Sequence, residues 1–229
     1  MKRIGLIGGM SWASTLDYYR LLNELVQKEL GKPHSAEIIM HSVDFAPFKR
    51  LQHQDEWGEL TSRLQKIARN LEQAGADMVL ICANTMHRMA PELEGSLDIP
   101  LLHIADAAGA AIEAEGLKQV ALLGTRFTME GDFYSRRLVR DYGLEIMIPG
   151  EENRERIHEI IYEELISDTV SDRARSDFRR IIDALSDRGA EGVILGCTEL
   201  PMLVDDDIKL PLFDTTRLHA EMAVRRALI

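Results

Sequence analysis

The sequence predicts an α/β protein of two pseudo-symmetric α/β/α domains, each built on a four-stranded parallel sheet. Two observations lead to this prediction: short apolar segments alternate with amphipathic helical patterns, and one helix–strand unit occurs twice. Adding 114 to a residue number takes Leu71 to Leu185 and Ala83 to Cys197, and an apolar strand precedes both Ala83 and Cys197. The repeat therefore makes an alanine the counterpart of a cysteine.

The strands are expected in the same order in both halves. In the first half we expect strands at residues 2–8, 36–43, 78–83 and 99–104. In the second half we expect strands at residues 118–124, 144–148, 191–197 and 210–213. Such halves are Rossmann-like or flavodoxin-like.

The helices between these strands have recognisable starts and apolar faces. Ser11 is expected to cap a helix whose apolar face includes Tyr18, Leu21, Leu22 and Leu25. An amphipathic helix precedes each third strand, with the apolar residues Leu60, Leu64, Ile67, Ala68 and Leu71 in the first copy and Ala174, Phe178, Ile181, Ile182 and Leu185 in the second. Ala-rich helices are expected to begin near Asp106 and Asp214.

The length of 229 residues leaves the number of domains open, and the duplication favours two. We expect an N-terminal domain of residues 1–103 plus 210–229 and a C-terminal domain of residues 104–209. The N-terminal domain is discontinuous in this prediction because the last helix is expected to pack back on the first half.

Composition narrows the function classes. A net charge of −11 argues against nucleic-acid binding and against an anionic membrane surface, and no apolar run is long enough to span a bilayer. Two cysteines make no disulfide framework, so we expect free thiols and a cytoplasmic protein. A small-molecule partner such as a carboxylate is compatible with this charge, since a local nest of N–H groups can hold an anion despite the overall charge.

Ligands of parallel sheets lie beyond the carboxyl ends of the strands, so the active site is expected in the interdomain cleft. This rule selects four loops, at residues 8–11, 83–85, 124–128 and 197–199.

The two cysteines differ in their predicted roles. Cys197 ends a strand near backbone N–H groups, which favour a thiolate and an acid/base role, although a cysteine is also often a small buried hydrophobe. Cys82 is expected to point away from the site because its register mate is Gly196, one residue before the cleft position; a bulge would give it a catalytic role. Cys82, His87 and Cys197 lack the paired spacing of a zinc site, so no metal is expected.

Short polar side chains occupy the turns after the strands. Asn84, Thr85, Thr125, Thr128 and Thr198 are expected either to cap a helix or to bind a carboxylate. In the next helix, His87 is more often a core or surface residue than a catalyst.

Two cofactor classes are disfavoured. The glycines Gly5, Gly8 and Gly9 form G-x-x-G-G, which is not the dinucleotide fingerprint. None of the selected loops contains a lysine for a pyridoxal phosphate Schiff base.

These motifs together resemble the aspartate/glutamate racemase superfamily, and most of all its aspartate racemase and broad-specificity amino-acid racemase branch. The resemblance spans essentially the whole chain and rests on residues 8–12, the Asn84-Thr85 turn and Gly196-Cys197-Thr198-Glu199. It implies a racemase without a cofactor, usually a homodimer, in which two thiols on opposite faces of the substrate Cα exchange a proton. It implies Cys197 as the second thiol and substrate binding by Met10, Ser11, Gln52, Asn84, Thr85, Thr125, Thr128, Thr198 and Glu199.

The chain departs from this pattern at two positions. Ala83 stands where the first thiol is expected, and a methyl group cannot move a proton. Ile166 follows Leu165 where aspartate racemases of this type can present a lysine for the distal carboxylate, which puts a dicarboxylic substrate in question.

Ala83 leaves several readings open. Cys197 works with a water or with a displaced Cys82, or Ala83 is an engineered substitution. The alternatives to a racemase are a one-thiol decarboxylase or isomerase of the same superfamily, and an amino-acid-binding protein with impaired catalysis.

Overall fold

The computed structural model describes residues Met1 to Ile229 and contains seven strands and ten α-helices. The strands are β1 (Ile4–Gly8), β2 (Ile38–Ser42), β3 (Met78–Ile81), β4 (Gln119–Gly124), β5 (Glu145–Met147), β6 (Gly192–Gly196) and β7 (Leu212–Asp214). The helices are α1 (Trp12–Leu30), α2 (Phe45–His53), α3 (Trp57–Gln73), α4 (Ala90–Glu94), α5 (Ile104–Ala114), α6 (Arg126–Glu130), α7 (Asp132–Tyr142), α8 (Glu151–Glu159), α9 (Asp172–Ser186) and α10 (Thr215–Ala227). Short 3₁₀ segments cover Thr85–Met89, Leu165–Ser167 and Leu200–Leu203, and a π-helical segment covers Ile160–Glu164.

The chain divides into two compact units. The N-terminal unit contains Met1–Ile104 and His219–Ile229, and the C-terminal unit contains Ala105–Leu218. The sequence placed the second boundary at residue 210. In the structure it lies later, at His219, because β7 pairs with β6 and therefore belongs to the sheet of the C-terminal unit.

Each unit has one parallel sheet, and the two sheets share a strand order. The order is β2-β1-β3 in the N-terminal unit and β5-β4-β6-β7 in the C-terminal unit. The central ladders are equivalent, since Ile4 lies opposite Met78 in one sheet and Val120 lies opposite Gly192 in the other. The internal repeat therefore extends to the pairing of the strands.

The fourth segment differs between the units. In the C-terminal unit, β7 pairs with β6 over three residue pairs. In the N-terminal unit, the segment expected at residues 99–104 forms a single parallel bridge between Val79 and Leu101. This segment is short because α5 already begins at Ile104, so the chain leaves the sheet after one bridge.

Apolar helix faces cover both sheets as the sequence predicts. The five apolar positions of α3 and the five of α9 that were predicted to face inward are all buried. Burial of each such leucine, isoleucine or phenylalanine stabilises a fold by about 1.5–3 kcal/mol. The prediction for the last helix is also confirmed, because Ala220, Ala223 and Val224 of α10 pack in one cluster with Tyr18 of α1.

No helix has both the length and the apolar composition that a membrane span requires.

Candidate active site

The turn between β1 and α1 is fixed by a glycine and a threonine. Gly9 has φ +91°, and a Cβ there would lie 2.3 Å from the carbonyl oxygen of Val43, so no other residue fits without rearrangement. The Gly9 N–H donates to Thr15 Oγ1 at 2.8 Å, and the same hydroxyl donates to the Ser11 carbonyl at 2.9 Å. Sequence reasoning missed Thr15, although a hydroxyl four residues after a helix cap is a usable signal.

The predicted cap of α1 is confirmed. Ser11 Oγ accepts from the N–H of Ser14 at 3.3 Å and lies 3.1 Å from its hydroxyl. Ser11 and the preceding Met10 are both buried in the N-terminal unit. The hydroxyl of Ser11 therefore serves the local structure of this turn.

The end of β3 separates two neighbouring residues onto opposite faces of the sheet. Cys82 packs in the cluster that contains Leu80, while Ala83 packs in the cluster that contains Ile81. Cys82 is fully buried, and the loss of solvent raises the pKa of its thiol. Cys82 is therefore buried on the face opposite Ala83, as the alternation of side chains along a strand predicts.

The turn after β3 buries polar side chains. Asn84 and Thr85 are both at most 9% exposed, and the Asn84 side chain makes no capping hydrogen bond to the 3₁₀ turn that follows. Gln52 of α2 is buried in the same unit. Asn84 and Thr85 follow the carboxyl end of β3, where ligands of parallel α/β sheets bind, so this turn is a candidate binding surface.

Three histidines of the N-terminal unit are buried near this turn. His87, His103 and His219 are each 2% exposed or less. The sequence favours a core or surface position for His87 over a catalytic role, and the structure buries it. His103 and His219 were missed, because their partners are remote in sequence.

In the C-terminal unit, the residue after β6 is a thiol paired with a carboxylate. The Cys197 thiol donates to Glu199 Oε2 at 3.0 Å, and the hydroxyl of Thr198 donates to the same oxygen at 2.6 Å. Cys197 and Thr198 are partly exposed, and Glu199 is buried. The three consecutive residues thus form one hydrogen-bonded group.

This environment raises the pKa of the Cys197 thiol, first by desolvation and then through the charge of Glu199 and the hydrogen bond to it. The backbone N–H groups of Glu199 and Thr198 lower the pKa, as the sequence suggested, but they are outweighed. The expected preference for thiolate is therefore wrong for the resting protein. The thiol holds its proton until a base takes it.

The turn after β4 is the other predicted binding turn of this unit, and its first residue caps a helix. Thr125 caps α6 by accepting from the N–H of Thr128 at 3.4 Å, and the two hydroxyls lie 3.3 Å apart. Both side chains are buried. The residue before Cys197 packs closely against the backbone of β4, since a Cβ on Gly196 would lie 2.8 Å from the Leu123 carbonyl oxygen.

These two strand ends differ in what they can do chemically. Cys197 with Glu199 can give and take a proton, because a thiol and a carboxylate share one hydrogen bond. Ala83, at the equivalent position of the N-terminal unit, offers no proton-transferring group. No group of three histidine, cysteine, aspartate or glutamate side chains is arranged to hold a metal ion.

Comparison with known proteins identifies the family of the chain. The profile of the Asp/Glu/hydantoin racemases matches residues 7–223. The chain belongs to this family. Family membership supports an amino-acid racemase, an enzyme of the isomerase type.

Solved structures of the racemase family resemble the whole chain. A putative Asp/Glu racemase from Yersinia pestis is 45% identical with a TM-score of 0.94, and both chains are covered to 100%. An aspartate racemase homologue from Pyrococcus horikoshii OT3 is 34% identical with a TM-score of 0.87, again with 100% of both chains covered. Among curated sequences, the broad specificity amino-acid racemase RacX of Bacillus subtilis (strain 168) is 22% identical, and the match covers 96% of each chain.

Proposed function

We propose that this racemase-family protein acts on a free amino acid without a cofactor, with Cys197 as the group that removes and returns the proton at Cα. The observation that carries the proposal is the 3.0 Å hydrogen bond from the Cys197 thiol to Glu199, directly after the carboxyl end of β6. Small-molecule ligands of parallel α/β sheets bind at this end.

The proposed step moves one proton at a time. The Glu199 carboxylate takes the thiol proton, and the Cys197 thiolate then removes the α-proton while the electron pair passes into the substrate carboxylate. Returning a proton from Cys197 to Cα restores the amino acid. While the carbanion exists, the Cys197 thiol can exchange its proton with water through Glu199, so the returned proton comes partly from solvent.

The α-proton of an amino acid is very weakly acidic, so the carbanion needs donors on the substrate carboxylate. We assign substrate binding to the residues that the family resemblance implies for it, namely Met10, Ser11, Gln52, Asn84, Thr85, Thr125, Thr128 and Thr198. The homodimer remains a prediction from the resemblance, and the cytoplasmic location remains a prediction from the cysteine content.

The proposal is tested by solvent exchange at Cα. The protein is incubated in deuterated water with L- and D-aspartate, L- and D-glutamate and a panel of neutral amino acids, and loss of the Cα–H signal is followed by NMR. We expect exchange with at least one of them, abolished in Cys197→Ala and retained in the matched variant Cys82→Ala. Absence of exchange from the whole panel, or its survival in Cys197→Ala, would contradict the proposal.

Ala83 favours a second candidate, a decarboxylase that needs one thiol only. Such an enzyme would lose carbon dioxide from a substituted malonate and protonate the resulting enediolate from Cys197. Carbon dioxide release without exchange on free amino acids would replace the racemase proposal with this one. Tight amino-acid binding with neither reaction would indicate a binding protein.

A further inference from the structure

A buried imidazole contacts the backbone at the position of the missing acid/base. His87 Nδ1 lies 2.9 Å from the carbonyl oxygen of Ala83, and its Nε2 lies 3.3 Å from the backbone nitrogen of Ile104. Both contacts lie within the N-terminal unit, and His87 is 1% exposed. The ring therefore connects the turn after β3 with the first residue of α5.

These two partners define the protonation of the ring. A carbonyl oxygen can only accept, so Nδ1 carries the hydrogen, and a backbone amide can only donate, so Nε2 is bare. His87 is then a neutral imidazole with both nitrogens engaged by the backbone. This excludes it as a proton shuttle in the resting protein and leaves it a geometric role.

The geometric role concerns the peptide between Ala83 and Asn84. A trans peptide is planar, so its carbonyl and its N–H point in opposite directions. Holding the Ala83 oxygen against His87 Nδ1 turns the Asn84 N–H away from the ring. The backbone N–H of His87 also donates to the Asn84 carbonyl at 3.1 Å, which fixes the following peptide.

The ring is itself held by its neighbours. The His87 ring centroid lies 4.6 Å from that of His103 and 5.7 Å from that of His219. His219 Nε2 donates to the Leu102 carbonyl at 2.8 Å, and the Tyr18 hydroxyl donates to His219 Nδ1 at 2.8 Å. His87 can therefore shift only if several buried hydrogen bonds shift with it.

We propose that His87 is a positioning residue of the candidate site, which fixes the Ala83–Asn84 peptide through the bond from Nδ1 to the Ala83 carbonyl. It thereby sets the direction of the Asn84 amide and of the side chain at position 83. This inference rests on the proposed function only in assigning those groups to substrate binding.

Three substitutions of His87 distinguish the effects of its two hydrogen bonds from the effect of its ring volume. In His87→Asn the side-chain amide nitrogen can reach the position of Nδ1 and donate to Ala83. In His87→Gln the longer side chain places its carbonyl oxygen near the position of Nε2, where it accepts from Ile104. In His87→Phe the ring volume is kept and both hydrogen bonds are lost.

We expect kcat/KM for Cα exchange to fall about tenfold or more in His87→Phe and His87→Gln, mainly through KM, because small misplacements of binding groups have effects of this size. His87→Asn should remain within about threefold of the wild type by the same reasoning. The thermal midpoint should fall in all three variants, since each loses part of a buried network. Loss of activity in proportion to that midpoint, with His87→Asn no better than His87→Phe, would overturn the positioning role.

A second readout needs no turnover and keeps this inference separate from the proposed function. In ¹⁵N-labelled protein, the His87 ring should show the Nδ1–H tautomer, and the Asn84 amide resonance should move in His87→Phe and return towards its wild-type position in His87→Asn. If the wild type exchanges no amino acid, the proposed function fails while these spectra still decide the role of His87. An Nε2–H tautomer, or an Asn84 resonance indifferent to all three substitutions, would refute the positioning role.

Discussion

The N-terminal and C-terminal units pair their central strands in the same register, yet the equivalent residues Ala83 and Cys197 have opposite characters. In the N-terminal unit, Ala83 carries no reactive group, and its backbone is held by the buried ring of His87. In the C-terminal unit, Cys197 carries a reactive group and is paired with the side chain of Glu199. The distinguishing feature after β3 is a backbone carbonyl held by a histidine ring, and the distinguishing feature after β6 is a side chain that can transfer a proton.

This difference shows that the duplicated fold fixes where a residue lies but not what it contributes. The equivalent ladders end at Ile81 and Gly196, and residues 83 and 197 follow these ends in the two units. Proton transfer at this position depends on the side chain there, as at Cys197, and on the residue two positions later, as at Glu199. The predictions that follow test this contrast.

The largest expected effect is on the acid stability of the N-terminal unit. Burial lowers the pKa of His219 from 6.5 to about 3. Between these values the unfolded state binds more protons than the folded state. The free energy of unfolding should therefore fall as the pH falls from about 6.5 towards 3, by up to about 1.4 kcal/mol per pH unit.

Urea unfolding followed by tryptophan fluorescence measures this slope, because both tryptophans, Trp12 and Trp57, lie in the N-terminal unit. His219→Gln keeps a donor for the Leu102 carbonyl but cannot titrate, so its slope should be shallower by up to one proton. The exposed His34 supplies the matched control, His34→Gln, whose slope should equal that of the wild type. Equal slopes in both variants would remove His219 as the cause.

The next effect concerns the missing acid/base group. Ala83→Cys should speed interconversion of the enantiomers about 100-fold, which is the lower range for adding a positioned acid/base group. Chiral chromatography of the product measures inversion directly, and Ala83→Ser is the matched variant with a weakly acidic hydroxyl. An unchanged inversion rate in Ala83→Cys would mean that position 83 does not take part.

A smaller effect is expected from the carboxylate beside Cys197. Glu199→Gln removes the charge and the strong acceptor that raise the thiol pKa, so alkylation of Cys197 by iodoacetamide at pH 7 should become faster. Cα exchange should slow about tenfold, because glutamine cannot take the proton. The exposed Glu163 gives the control Glu163→Gln, which should change neither rate. If exchange accelerated together with alkylation, Glu199 would be a suppressor of the thiolate and not its base.

The smallest effect is expected at Cys82. Because this side chain is fully buried in apolar packing, Cys82→Ala should destabilise the protein by about 1 kcal/mol, as core truncations of this size do. Cα exchange should be unchanged. Thiol titration of the native wild type should find one accessible cysteine, Cys197, and an accessible second thiol would contradict the burial of Cys82.

Much of this contrast could be predicted from local sequence patterns. The repeat of Gly75-Ala76 at Gly189-Ala190, followed by apolar segments of equal length, was enough to equate residues 83 and 197. Strand alternation was enough to bury Cys82. These signals succeed because strand period and register are properties of short stretches of chain.

The remainder depends on contacts that no local pattern reveals. Tyr18 and His219 are separated by 201 residues, and His219 and Leu102 by 117, so the histidine network cannot be found from spacing. The raised pKa of Cys197 depends on the desolvation of the thiol and on the rotamer of Glu199, whose carboxylate accepts the thiol hydrogen bond. The fourth segment of the first half has the composition of a strand, but α5 begins too early for more than one bridge.

The most direct test of a single acid/base group at Cys197 is to follow deuterium incorporation and inversion in the same wild-type sample. Mass spectrometry gives the fraction deuterated at Cα, and chiral chromatography gives the enantiomeric composition at each time. With one thiol, we predict that one enantiomer gains deuterium much faster than it inverts. Inversion as fast as incorporation, or incorporation that persists in Cys197→Ala, would contradict it.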